Sequence, residues 1–178
     1  MKNKIFLTTI ASIIAGCGAG SSSGSEPVTP AQRIEALERS GSIPKLDRSN
    51  TLLGPDVNSN GVRDDIDAYL AANYTSSEQL SAATQAAKAM QNTLKVDPTD
   101  LPAVRLVERQ NSRAINCLYS TFEGGNISKE PARVGTEIES MTSNTKQRLL
   151  AYLKYNKALD GTHSSMPDGD TCEHFRPG

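Results

Sequence analysis

Residues 56–67 read Asp-Val-Asn-Ser-Asn-Gly-Val-Arg-Asp-Asp-Ile-Asp, and no other segment restricts the fold so tightly. Oxygen-bearing side chains stand at positions one, three and five of this run: Asp56, Asn58 and Asn60. Gly61 stands at position six, where a chain folding back on itself turns sharply and only glycine does so without strain. Val62 at position seven offers a backbone carbonyl, Asp64 follows at nine, and Asp67 closes the run at twelve. A hard cation takes six to eight oxygens from such a loop. The register therefore predicts a Ca²⁺ site with Asp56, Asn58, Asn60, Val62, Asp64 and Asp67 as ligands. A metal-free turn, with Asp64 or Asp65 capping the next helix, explains the composition but not the register. Only three of the ligands are carboxylates, so the expected Kd is roughly 10⁻⁵–10⁻³ M, weaker than a tight buffer.

The loop resembles those of EF-hands, dockerins and thrombospondin type 3 repeats. It ends in Asp67, as dockerin loops do, and the Asp-Val-Asn opening is also dockerin-like. Two departures separate it from a dockerin. Position eight is Arg63, where paired loops carry an apolar residue. A second loop is also missing: Asp160 to Thr171 lacks a glycine at position six and has Met166 and Pro167 where ligands are needed. The stretch Asn144 to Asn156, with Arg148, Tyr152 and Tyr155, resembles bacterial envelope lipoproteins that also carry an Asn-Gly-Val-Arg-Asp-Asp loop. That resemblance implies no activity.

Lys2 and Lys4 precede an apolar run from Ile5 to Ile14, too short to span a bilayer. Ile14-Ala15-Gly16-Cys17 follows. This order of charge, apolar run, small residues and cysteine resembles the lipobox of bacterial lipoproteins. The resemblance implies that residues 1–16 are a signal peptide and that Cys17 is lipidated, anchoring the chain to the membrane. The alternative is a cleaved secretory signal with an incidental cysteine. Gly18 stands where an aspartate resembles an inner-membrane retention signal, which favours the outer membrane. Residues 17–29, rich in Gly, Ser and Pro, read as a disordered tether with a reach of roughly 20 Å.

The body, residues 30–178, is long enough for one hydrophobic core. Loss of Lys2 and Lys4 lowers the 19 basic residues to 17 against 20 acidic, a balance of −3. The basic residues are dispersed, so nucleic acid is not an expected partner. Cys117 and Cys172 remain after Cys17, and in an oxidising compartment such a pair reads as a disulfide. It closes a loop of about 55 residues and constrains the unfolded chain by roughly 4 kcal/mol. Two free thiols, or a metal site of Cys172 with His163 and His174, are the alternatives.

Apolar spacing predicts an all-α body, an irregular bundle of five or six helices. Thr29-Pro30 opens a short helix that stops at Gly41. A helix follows the loop from Asp64 to Tyr74, with Ile66, Tyr69 and Leu70 on one face. Thr75-Ser76-Ser77-Glu78 reads as a capping box for a long helix to Lys95. A third long helix spans Asp100 to Phe122, with Val104, Val107, Ala114, Ile115, Leu118 and Phe122 inward. Val134, Ile138 and Met141 mark a shorter one. The last runs from Asn144 to Asp160, with Leu149, Leu150, Leu153 and Asn156 on one side. The five tyrosines and three phenylalanines are needed in the core before they can line a groove.

No nucleophile elbow, His-Glu-x-x-His motif or phosphate loop occurs. The chain is therefore not expected to be an enzyme. The expected role is a calcium-binding, lipid-anchored envelope protein in which calcium is structural. The alternative is a periplasmic or surface module whose binding of a protein partner depends on calcium.

Overall fold

The computed structural model describes residues 28–124 and 130–173. The expectations for the signal segment, Cys17, most of the tether and His174 lie outside the described residues. Six helices follow in order: α1 Pro30–Arg39, α2 Asp64–Asn73, α3 Ser77–Lys95, α4 Leu101–Phe122, α5 Pro131–Thr142 and α6 Lys146–Ala158. No strand occurs among the described residues, and the body is an irregular all-α bundle.

The helix starts are set by local chemistry. Thr29 and Gln32 form a reciprocal capping box ahead of Pro30. Asp100 caps α4 by accepting from the Ala103 N–H at 3.1 Å. The cap of α3 is Ser76, one residue later than the spacing predicts. Its hydroxyl accepts from the Gln79 N–H at 3.4 Å and donates to Glu78 at 2.6 Å, while Tyr74 before it is extended and buried, its ring edge-on to Phe122 at 5.4 Å.

Helix α3 is the hub and packs against α2, α4, α5 and α6. Its buried face is alanine-rich, with Ala82, Ala83, Ala86, Ala87 and Ala89. Small side chains let the neighbouring backbones approach, and those neighbours supply the bulk: Ile66, Leu70, Leu118, Phe122, Val134, Ile138 and Met141. A smaller cluster joins Val104 and Val107 of α4 to Tyr155 of α6. Helix α1 buries no residue. Its Glu38 accepts from the Leu46 N–H at 3.3 Å and from Arg48 at 2.5 Å.

The predicted inward face of α4 is buried at Val104, Val107, Ala114, Leu118 and Phe122, whereas one of its positions and the face predicted for α6 are not. Ile115 is exposed, and so are Leu149, Leu150 and Leu153. On α6 the buried positions are Arg148 and Tyr155, with Tyr152 half-buried between them. At about 100° per residue, the three leucines stand roughly 100–160° away from Arg148. A buried guanidinium, with its acceptors on other segments, decides which way α6 faces. Tyr119 is also half-exposed instead of joining the core.

Cys117 and Cys172 form a disulfide with Cα atoms 4.9 Å apart. Hydrogen bonds hold the same tail. Asn116 donates to the Gly169 carbonyl at 2.9 Å, and Thr171 donates to the Arg113 carbonyl at 2.7 Å. Gln85, buried on α3, donates to the Thr171 carbonyl and accepts from the Glu173 N–H. The segment after α6 is thus pinned along α4 by more than the covalent bond.

Candidate metal centre

The loop ahead of α2 folds back on itself through its own side chains. Asp56 accepts backbone N–H groups from Asn60 at 3.1 Å and Gly61 at 3.0 Å, one on each carboxylate oxygen. Gly61 has φ +89° and Ser59 φ +56°, the two left-handed residues that tighten the turn. Asn58 accepts from the Asn60 N–H, and Asn60 accepts from the Val62 N–H at 2.8 Å. Asp67, one turn into α2, reaches back across the loop. Its Oδ2 accepts the amide nitrogens of Asn58 at 3.2 Å and Asn60 at 2.6 Å. Asp64 accepts from the Val57 N–H at 3.0 Å, and its own N–H donates to the Pro55 carbonyl.

Positions one, three, five and twelve therefore meet through direct or shared contacts. Val62 is fully buried and anchors position seven in the core. Asp64 lies at the rim, engaged with Val57. Among the described residues, no three Asp, Glu, His or Cys side chains cluster as a metal-binding group. The convergence rests on carboxylates interleaved with neutral amides. At positions one, three, five, nine and twelve the side chains offer carboxylate and amide oxygens, which suits a hard cation over a soft one.

The rest of the loop faces the bundle. Arg63, at position eight, is fully buried. Its guanidinium meets Asp65 at 2.5 and 2.9 Å, the Met141 carbonyl at 2.9 Å and Asn144 at 3.4 Å. Asp65 also accepts the Asp47 N–H at 2.6 Å. Asp47 in turn binds the second fully buried arginine, Arg148, at 2.5 Å. Arg148 further donates to the carbonyls of Asp47, Thr51 and Leu52 and to the Asn144 side chain. Burial alone would raise the Asp47 carboxyl, but hydrogen bonds from Arg148 and Ser49 outweigh it and hold it below the ordinary carboxylate range.

Gly54 fits between the two arginines. Its φ is +71°, and an added Cβ would fall 2.3 Å from the Arg63 Cδ and 3.0 Å from an Arg148 nitrogen. The spacing of residues 56–67 locates the loop, but it does not reveal this network of Asp47, Arg63, Asp65, Asn144 and Arg148. One signal was available. Arg63 breaks the apolar pattern at position eight, and a charged residue there needs buried partners.

No protein-family model, curated protein or solved structure matches the chain. The reading of the site therefore rests on its own geometry.

Proposed function

We propose that this chain is a calcium-stabilised, lipid-anchored protein of the bacterial cell envelope, with Ca²⁺ held by Asp56, Asn58, Asn60, Val62, Asp64 and Asp67. The observation that carries the reading is the position of Asp67, whose Oδ2 meets Asn58 and Asn60 across a loop already held closed at Asp56. Turning the two amides would present oxygens around one point, where only a cation can keep them together. The Cys117–Cys172 disulfide supports an exported location, because such bonds persist in oxidising compartments. The lipobox-like run ending at Cys17 supports the anchor. The exposed leucines of α6 favour a second reading, a surface module that docks a protein partner when calcium is bound.

Thermal melts of the purified chain in calcium and in chelator test the site. A ligand that binds only the folded state stabilises by about 2.7 kcal/mol at a hundredfold excess over Kd. For a chain of this size that raises Tm by roughly 5–10 °C. Asp56→Ala removes the response. Val57→Ala keeps it, because that side chain is 86% exposed at a non-ligand position. Identical melting at millimolar calcium and in chelator rules the site out. Metabolic lipid labelling of wild type and Cys17→Ser tests the anchor, and equal labelling of the two excludes it.

A further inference from the structure

Two clefts open beside α4 and run into each other. One, of about 660 Å³, lies between α4 and the pinned segment after α6, and Arg105, Arg109 and Arg113 line it. The other, of about 490 Å³, lies between α4, α5 and α6, and its walls include Met90, Ile115, Leu118, Tyr119 and Tyr152. Glu108, Ser112, Leu159 and Ser164 belong to both, so the two form one depression with a basic end and an apolar end.

The basic end is built by helix geometry. Arg105, Arg109 and Arg113 are four residues apart, so they stand on one face at intervals of roughly 6 Å. All three are exposed, and none forms an ion pair among the described residues. Two carboxylates line the depression: Glu108, between the ends, accepts the hydroxyls of Ser112 and Ser164, and Glu139 stands in the wall of the other end. Guanidinium groups grip phosphate or carboxylate oxygens through paired N–H donors. At the apolar end, Ile115 and Tyr119 are 43% and 48% exposed, so hydrophobic surface faces the open cleft. The disulfide and the Asn116–Gly169 bond fix the segment that forms the outer wall of the basic end. Both volumes fall in the range of roughly 300–1,000 Å³ typical of small-molecule sites.

We infer that this joined cleft binds an anionic amphiphile: a single alkyl or acyl chain in the apolar end, with a phosphate or carboxylate head on Arg105, Arg109 and Arg113. A bare anion leaves the apolar end unfilled, and a neutral lipid leaves three guanidinium groups without partners. The inference uses neither the loop at 56–67 nor the anchor at Cys17.

The test is calorimetric titration of the whole chain carrying Cys17→Ser, so that no acyl group of its own competes. Dodecyl phosphate below its micelle concentration is expected to bind saturably at one per chain. Arg109→Gln weakens that binding by about tenfold or more. Ile115→Gln weakens it at the other end of the cleft, whereas Arg39→Gln, on α1, leaves it unchanged. Equal affinity for dodecyl maltoside removes the role of charge and overturns the proposal. Equal affinity for inorganic phosphate means an adventitious ion only. Binding to phosphatidylglycerol vesicles without binding of the monomer means a membrane-surface contact and also overturns it, as does an unchanged affinity in Arg109→Gln.

Discussion

Arg148→Lys keeps the charge of a fully buried side chain and changes only its donor geometry, so it isolates the hydrogen bonding of the network. Arginine carries five N–H donors, and all five are engaged. Nε serves the Leu52 carbonyl, Nη1 serves the Asp47 carbonyl and Asn144, and Nη2 serves the Asp47 carboxylate and the Thr51 carbonyl. Lysine has three donors on one atom, so at least two of these hydrogen bonds are lost. A hydrogen bond to a charged group contributes about 1.5–3 kcal/mol, so losing two costs about 3–6 kcal/mol. That is a large share of the roughly 5–15 kcal/mol by which a domain is stable. Urea unfolding should show a lower midpoint with an unchanged slope, because the surface exposed on unfolding is the same. Arg148→Met, which removes all five donors and leaves the Leu52 and Thr51 carbonyls without this partner, should be less stable again. Arg148→Lys within about 0.5 kcal/mol of wild type would refute the reasoning, because a surface substitution has that effect.

Gly54→Ala should lose about 2–5 kcal/mol in the same urea assay. The left-handed backbone contributes roughly 1–2 of this and the clash with Arg63 roughly 1–3. Cys172→Ser should lower stability by less than the roughly 4 kcal/mol of the entropy model, because Gln85, Asn116 and Thr171 still hold the tail; limited proteolysis within 162–173 should rise, and the calcium response should persist. Asp47 has a folded pKa below its unfolded value of about 3.9, so its contribution is complete above that pH and is lost as pH falls through the folded value. Urea melts between neutral and strongly acidic pH should show that loss in wild type and a shallower one in Asp47→Asn.

The helices were legible because their signals are local. Thr29-Pro30, Asp100 and the spacing of Val104, Val107, Ala114 and Leu118 act within a few residues of themselves. The disulfide was legible from the cysteine count and the oxidising compartment that the lipobox-like run implies. What failed depended on distant partners. Leu149, Leu150 and Leu153 look like a core face until Arg148 is given Asp47, Thr51 and Leu52, about a hundred residues away, as acceptors. Nothing near α6 shows that an arginine there is buried. Likewise the oxygen register of Asp56 to Asp67 is local, whereas the partners of Arg63 lie on the α5–α6 junction at Met141 and Asn144.

The twelve residues of the loop thus carry two sets of contacts that alternate along the chain. Asp56, Asn58, Asn60 and Asp67 turn toward one another, while Arg63 and Asp65 turn into the bundle. Arg63 lies next to Asp64, and Asp65 lies two residues before Asp67, so the backbone cannot move one set without the other. Any ligand that fixes the loop also fixes the segment on which both buried arginines depend, because Asp65 holds the Asp47 backbone and Asp47 holds Arg148. For the same reason Asp65 is not a neutral control for ion binding, although it stands at a non-ligand position. Its loss would leave the fully buried Arg63 without its carboxylate, a change that costs about 3–5 kcal/mol wherever a buried pair is broken from one side. Asp65→Ala should therefore melt well below wild type in chelator as well as in calcium yet still rise with calcium, whereas Asp56→Ala, which gives up two backbone hydrogen bonds at the loop, should melt at the same temperature in chelator and in calcium.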